Sequence, residues 1–277
     1  MVQKRQIIDI HTHAFPDAIA ARAMAQLHSE CDIQSYLDGR LCSLLGSMDE
    51  AGIEKSVLCS IATRPEQFDS ILRWSMEIRS ERIIPFPSVH PKDPQAVDRV
   101  NEIRKSGFLG VKIHPYYQDI CIDDPALNLL YKSIVENNLI LVLHTGYDVA
   151  FQNEERANPQ QILTVLNRFP SLRLITTHMG GWFQWDQVEK FLLGKPIYME
   201  TSVSYEYLGP NRAKRILDNH NHDYLLFGTD SPWDDQKKAI SDIDKLFSDE
   251  NFKDKLFYTN ARQLLGSGIK DDISGPC

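Results

Sequence analysis

Six of the nine histidines in this sequence stand at the ends of short apolar runs, where a polar side chain is unusual. Two of them, His11 and His13, are separated by a single residue. Because side chains alternate along an extended strand, these two imidazoles are expected to point to the same side. Two neutral imidazoles from one strand can share a divalent cation. The pair therefore predicts a metal site.

Further candidate ligands follow later runs. His144 ends one of them and Asp230 follows another, and the strand before Asp230 is expected to lie beside the first strand in a closed sheet. The predicted ligands of one metal ion are His11, His13, His144 and Asp230. Imidazoles with one carboxylate suit Zn²⁺, and Mn²⁺, Fe²⁺ and Co²⁺ are alternatives. Such a site keeps a position for water, whose pKa falls to about 7 on zinc.

Two residues of one predicted strand, Lys112 and His114, share a face and project toward the same place. Lys112 has four interpretations: a carboxylated bridge between two metal ions, an ion-pair partner of Asp9 or Asp230, a cation that binds substrate, or a structural residue. His114 is expected to bind substrate or support the site rather than to ligate metal. Asp9 is expected to be a buried structural carboxylate.

Three aromatic residues, Trp182, Phe183 and Trp185, follow the glycines after His178. Aromatic side chains at such a position often form one wall of a substrate pocket. Packing within the loop is the alternative interpretation.

Eight short β-rich runs recur along the chain, and most are continuously apolar. Strands of this kind are typical of parallel sheets covered on both faces. The predicted strands are 7–10, 56–60, 83–89, 109–114, 139–144, 172–177, 197–201 and 224–227. Helical patterns separate them, at 64–80, 93–106 and 124–138, with another helix that starts at Asn158-Pro159 and one that ends at Gly52.

This alternation predicts an α/β fold, a (β/α)₈ barrel, with an open doubly wound sheet as the alternative. We expect one domain over 1–277. It carries an insertion at about 14–40 after the first strand, helical in part at 17–28, and a short polar tail at 266–277. No glycine-rich phosphate motif follows a strand, which argues against the main nucleotide-binding folds.

Composition restricts the function further. Of the 277 residues, 42% are hydrophobic and 25% are charged, as in a folded globular protein, and the net charge of −8 argues against nucleic-acid or anionic-membrane partners. Neither a membrane span nor a signal-peptide core is apparent, and the five cysteines contain no CxxC pair. We therefore expect a cytoplasmic protein that acts on a small molecule, with a homodimer as the commonest oligomer.

Six motifs together resemble the amidohydrolase superfamily, and most closely its amidohydrolase-2, or aminocarboxymuconate-semialdehyde-decarboxylase-like, branch. They are 9–13 (DIHTH), 110–115 (GVKIHP), 144–146 (HTG), 177–181 (THMGG), 227–232 (FGTDSP) and 260–265 (NARQLL). The motifs occur in order over nearly the whole chain. The resemblance implies a TIM barrel with a catalytic metal, usually zinc.

The resemblance also implies roles for individual residues. His11, His13, His144 and Asp230 would be ligands. His178 would polarise the substrate or steady the attacking hydroxide, and Asp230 would accept the water proton and return it to the leaving group. Lys112 stands where two-metal members carry a carboxylated lysine, and in that version His178 would be a ligand. One metal ion is expected, because this branch usually has one.

The predicted activity is hydrolysis, in which a metal-bound hydroxide attacks the carbonyl of an amide, ester, lactone or C–C substrate. The alternative is a lyase that decarboxylates an aromatic or enoic acid without oxidation. A non-catalytic binding protein on the same scaffold is less favoured, since every expected ligand is present.

Overall fold

The computed structural model describes residues 5–30, 34–151 and 154–266. Its eight strands correspond to the eight predicted runs, and neighbouring strands within each sheet pair in parallel in chain order. They are β1 (Ile8–Thr12), β2 (Lys55–Cys59), β3 (Ile83–Phe86), β4 (Gly110–Ile113), β5 (Ile140–Leu143), β6 (Arg173–Thr176), β7 (Tyr198–Glu200) and β8 (Leu225–Leu226).

Two seams join β1–β3 and β4–β8 into one ring. At the first seam the Lys112 amide donates to the Pro87 carbonyl at 2.9 Å, and Ser88 pairs with Lys112 in parallel. At the second, the Ile10 amide donates to the Phe227 carbonyl at 2.9 Å. The protein is therefore the predicted (β/α)₈ barrel, and the open doubly wound sheet is wrong.

Helices follow the strands, and their ends agree with the predicted signals. Gly52 ends α2 in the left-handed conformation, with φ of 74°. Asn158 caps α6: its side chain accepts from the Gln161 amide, and the Gln161 side chain accepts from the Asn158 amide. The helices are α1 (Asp17–Glu30), α2 (Leu41–Ala51), α3 (Phe68–Ile78), α4 (Ala96–Lys105), α5 (Asn128–Glu136), α6 (Pro159–Arg168), α7 (Trp185–Phe191), α8 (Tyr205–Leu208), α9 (Pro210–Asn219), α10 (Gln236–Leu246), α11 (Glu250–Asp254) and α12 (Asn260–Leu265).

The segment predicted as an insertion contains α1, and a parallel bridge between Phe15 and Arg40 brings its two ends together. Residues 267–277 of the predicted polar tail lie outside the described residues. Among the helices of the described ranges, none combines the length and the apolar character needed to cross a bilayer.

The core has two parts, one between the strands and the helices and one inside the barrel. The inner part includes Ile10, Phe86, Val142 and Ile175, and Leu264 of α12 packs against it. Apolar side chains thus fill the barrel interior and leave the opposite end, where the strands terminate, for polar groups.

One irregularity in β1 decides where His11 points. Asp9 pairs with Ser56 but Thr12 pairs with Leu58, so β1 has one residue more than β2 over this stretch. Ile10 packs inside the barrel, and strict alternation would turn His11 outward. The extra residue lets His11 enter the same barrel mouth as His13.

Gly110 allows the close approach of β3 and β4, because a Cβ there would lie 2.2 Å from the Phe86 ring. We expect Gly110→Ala to lower the free energy of unfolding by about 1–3 kcal/mol through overpacking. Gly46→Ala is the matched control, since Gly46 is exposed within α2 and its added Cβ meets nothing within 4 Å. The free energy of unfolding of the control should rise by about 0.5–1 kcal/mol, because alanine favours a helix more than glycine does. Urea unfolding followed by circular dichroism measures both, and equal values would contradict the packing argument.

Candidate metal centre

Three donor atoms converge at the mouth of the barrel. The Nε2 atoms of His11 and His13 are 3.1 Å apart, and Asp230 Oδ1 lies 3.2 Å and 3.1 Å from them. Ligand atoms bound to a tetrahedral zinc ion at about 2.0–2.1 Å are separated by about 3.3 Å. The spacing of these three atoms therefore fits a small divalent cation.

Backbone bonds between β1 and the segment after β8 hold this group in place. The Asp230 amide donates to the His11 carbonyl at 2.7 Å, and Asp230 itself has φ of 60°. Asp9 accepts hydrogen bonds from Thr229 Oγ1 at 2.6 Å and Gln236 Nε2 at 2.8 Å. Burial raises the pKa of Asp9 to about 7. Asp9 thus links β1 to the segment that carries Asp230. This agrees with the expected role of Asp9 as a buried structural carboxylate.

The outer nitrogens of the two imidazoles identify which ring atoms carry protons. His13 Nδ1 lies 2.7 Å from the Cys59 carbonyl, and His11 Nδ1 lies 3.1 Å from a carboxylate oxygen of Glu200. At each ring the acceptor beside Nδ1 is closer than Asp230 Oδ1 is to Nε2, which is 3.2 Å for His11 and 3.1 Å for His13. We therefore assign Nδ1 as the donor and leave each Nε2 with its lone pair. Two lone pairs and a carboxylate oxygen therefore face one another, which is the donor chemistry that a metal cation requires.

The charge states of the group agree with this fit. Burial lowers the pKa of His11 well below its usual value, so its imidazole is neutral. Burial opposes ionisation of Asp230, but the imidazoles of His11 and His13 outweigh it and hold the pKa of Asp230 below its usual range. Neutral imidazoles and an ionised carboxylate are the forms that ligate metal.

The structure places His144 next to His178 rather than within the three-atom group. His144 Nδ1 and His178 Nε2 are 3.2 Å apart. His144 Nε2 donates to the Tyr147 carbonyl at 3.0 Å, and His178 Nδ1 lies 2.9 Å from Ser202 Oγ. Ser202 Oγ donates to Glu200 Oε1 at 2.7 Å and can therefore accept from His178 Nδ1, which leaves lone pairs on the two facing nitrogens. The four-ligand set that includes His144 remains a prediction.

Lys112 is fully buried beside the centre, with Nζ 3.0 Å from His11 Nε2. Burial lowers the pKa of its ammonium. Among the described residues it forms no ion pair with Asp9 or Asp230, so the ion-pair interpretation is not supported. Its position on the floor leaves the bridging, substrate-binding and structural interpretations as hypotheses.

His114 lies beside this centre, where its ring stacks on His144 with centroids 4.1 Å apart. Its Nε2 is 3.4 Å from Asp148 Oδ2, and its buried Nδ1 has no hydrogen-bond partner. Burial raises the pKa of Asp148 to about 6. A position in the pocket wall agrees with a supporting or substrate-binding role for His114.

Two buried carboxylates at the site, Asp148 and Glu200, were not anticipated from the sequence. Glu200 ends β7, and an acidic residue at the end of a buried strand is the signal that could have identified it. Asp148 follows His144 by four residues within a loop, and no comparable signal marks it.

Apolar side chains surround the polar floor. Trp182 lines the pocket, as one of the two interpretations predicted, whereas Phe183 is 52% exposed. Trp185 packs beneath the loop, and its indole N–H donates to the His178 carbonyl at 3.0 Å. The apolar and aromatic residues that line the pocket are Phe15, Leu27, Ile61, Tyr117, Val149, Trp182, Val203 and Trp233.

The amidohydrolase family model matches residues 8–267. An uncharacterised TIM-barrel protein from Bordetella bronchiseptica is similar in structure, with a TM-score of 0.72, 20% identity and coverage of 95% of this chain and 99% of that one. The 2,6-dihydroxybenzoate decarboxylase from Rhizobium has a TM-score of 0.68, 16% identity and coverage of 94% and 98%.

A 5-carboxyvanillate decarboxylase from Novosphingobium aromaticivorans, solved with bound manganese, has a TM-score of 0.64, 15% identity and coverage of 94% and 96%. These solved structures share the fold. No curated protein sequence shows significant similarity to the chain.

Loss of a residue that hydrogen-bonds a metal ligand typically weakens metal binding by about 10–100-fold. We expect His13→Ala, which removes a ligand itself, to weaken Zn²⁺ binding by more than that. Its Nε2 is one of the three converging atoms, whereas His90 follows β3 and lies outside this group, so His90→Ala serves as the control. Competition with a chromophoric chelator gives both dissociation constants. Equal affinities for the two variants would refute the assignment of His13.

Proposed function

This chain belongs to the amidohydrolase family, and we propose that it is a metal-dependent decarboxylase of a small aromatic or enoic carboxylic acid. One observation carries the proposal, the contrast between the floor and the walls of the pocket. Ligand-type atoms of His11, His13 and Asp230 form the floor, and hydrocarbon and aromatic side chains surround it. The decarboxylases of similar fold support the same choice.

Apolar walls favour loss of carbon dioxide more than attack by water. A carboxylate that enters such a pocket loses hydration. When neutral carbon dioxide leaves, the electron pair and its negative charge stay on the substrate carbon, and protonation of that carbon removes the poorly solvated charge. Tyr117 and Trp182 offer rings against which a planar substrate can pack. A bound divalent cation would supply a Lewis acid that orients the substrate oxygens.

The carbon that loses carbon dioxide must gain one proton. His178 is placed to deliver it, because Nε2 keeps its lone pair and Nδ1 is held by Ser202. Burial lowers the pKa of His178 in the free protein, and an anionic substrate nearby would favour the protonated ring. His178 thus takes a proton from solvent and transfers it to carbon in each cycle.

Isotope labelling tests the reaction. Hydroxybenzoates and enoic acids are supplied to the zinc- or manganese-loaded protein in H₂¹⁸O. We expect carbon dioxide release with no ¹⁸O in the organic product. Incorporation of ¹⁸O into the organic product, with no carbon dioxide, would show hydrolysis instead.

Hydrolysis of an amide, ester, lactone or C–C substrate is the second candidate, and the position of Lys112 favours it. Lys112 lines the same pocket as His144 and His178, and its Nζ lies 3.0 Å from His11 Nε2. A carboxylated lysine there could bridge two ions. Plasma mass spectrometry separates the candidates: about one ion per chain agrees with the decarboxylase, and about two agree with the hydrolase.

The aromatic wall predicts a specific loss of substrate affinity. We expect Trp182→Ala to raise KM for an aromatic acid by about tenfold, the size of one ring contact, with a smaller change in kcat. Phe183→Ala is the control, because Phe183 adjoins Trp182 but is half exposed and does not line the pocket. Steady-state kinetics give KM for both variants. An unchanged KM in Trp182→Ala would refute a contact between Trp182 and the substrate.

A further inference from the structure

Glu200 is a fully buried carboxylate surrounded by hydrogen-bond donors. Its Oε1 accepts from the His178 amide at 2.9 Å and from Ser202 Oγ at 2.7 Å, and its Oε2 accepts from the Ser202 amide at 2.6 Å. Every one of these neighbours presents a proton. The position is therefore built for a group that only accepts, which is an ionised carboxylate.

This one carboxylate reaches two histidines. His11 Nδ1 lies 3.1 Å from Glu200 Oε1, a direct contact. Ser202 gives its hydroxyl proton to Glu200, so its oxygen is free to accept from His178 Nδ1 at 2.9 Å. Both rings then carry their proton on Nδ1, and both Nε2 atoms present lone pairs to the barrel mouth.

The backbone next to Glu200 is adapted to it. A Cβ at position 228 would lie 2.4 Å from Glu200 Oε2, so the glycine there leaves room for the carboxylate. Ser202 is buried as well, with 1% of its surface exposed. The Glu200 carboxylate cannot move aside without breaking its hydrogen bonds to the backbone amides of His178 and Ser202.

We propose that Glu200 and Ser202 are positioning residues that together fix the tautomers of His11 and His178. Glu200 acts on His11 directly and on His178 through Ser202. The arrangement keeps one Nε2 ready to bind metal and the other ready to bind metal or receive a proton. Its role in metal binding rests on the proposed function, whereas the tautomers are properties of the chain alone.

Glu200→Gln should reverse both tautomers. The amide nitrogen is expected at the Oε1 position, where its contact with a backbone N–H is 2.9 Å rather than 2.6 Å. There it becomes a donor to His11 Nδ1, and the Ser202 hydroxyl turns toward His178. Both rings then carry a proton on Nε2, and Zn²⁺ affinity falls by about 10–100-fold.

Two serine variants separate the arms of this network. Ser202→Ala should alter His178, whose Nδ1 loses the hydroxyl at 2.9 Å and keeps the more distant Ser202 carbonyl at 3.4 Å. It should leave His11 in its original tautomer, because Glu200 Oε1 at 3.1 Å is nearer to His11 Nδ1 than Ser202 Oγ at 3.4 Å. Ser204→Ala is the matched control, because the hydroxyl of this equally buried serine donates to the Ser202 carbonyl at 2.8 Å and contacts neither ring. It should leave both tautomers unchanged and Zn²⁺ affinity within about twofold of the wild-type value, well short of the 10–100-fold loss.

Nitrogen-15 NMR of the histidine side chains in metal-free protein identifies which ring nitrogen carries the proton, and chelator competition gives the zinc dissociation constant. The proposal is supported if both rings carry their proton on Nδ1 in the wild type, if both lose it from Nδ1 in Glu200→Gln, and if only His178 changes in Ser202→Ala. Unchanged tautomers in Glu200→Gln, or an unchanged His178 in Ser202→Ala, would overturn it. A wild-type chain that binds no zinc contradicts the proposed metal site, while the tautomer pattern still decides the roles of Glu200 and Ser202.

Discussion

The crowding of unprotonated donor atoms at one end of the barrel is the constraint on which this structure depends. The Nε2 lone pairs of His11 and His13 face each other and a carboxylate at 3.1–3.2 Å, and such atoms repel without a cation between them. A flexible chain would separate them. The closed ring prevents this, since the His13 amide donates to the Ser231 carbonyl at 2.6 Å across the seam between β1 and the segment after β8. The stability of the packed barrel offsets the free-energy cost of this local repulsion.

A second hydrogen bond on the far ring nitrogen fixes each imidazole, and the acceptors of these bonds come from different parts of the barrel. His13 uses the Cys59 carbonyl at the end of β2, His11 uses Glu200 at the end of β7, and His144 uses the Tyr147 carbonyl in the loop after β5. For His11 and His13, the supporting acceptor lies in a different βα unit from the imidazole. The donor geometry therefore appears only when the barrel closes, which links folding to the ability to bind metal.

The sequence predicted the eight strands, the caps at Gly52 and Asn158, and the strand ends that carry His11, His13 and Asp230. These features follow from local sequence patterns and from one rule, that the carboxyl ends of all strands of a barrel lie at the same face. Glu200 was missed because its importance depends on which strands become neighbours. Alternation placed His11 and His13 on one side, but counted from Ile10 it would turn both away from the barrel mouth. The irregularity in β1 brings them into the mouth. Register shifts of one residue have no reliable sequence signal.

The floor and the walls of the pocket come from different structural sources, and this separates the chemistry from the choice of substrate. The floor is formed by strand ends locked into the ring. The walls come from connecting segments, with Leu27 on α1, Val149 after β5, Trp182 after β6 and Trp233 after β8. Hydrolysis and decarboxylation can use the same floor, so the difference between them must lie in how far the walls exclude water and hold a planar acid. Changes in these segments could alter the reaction while the ligand group stays the same.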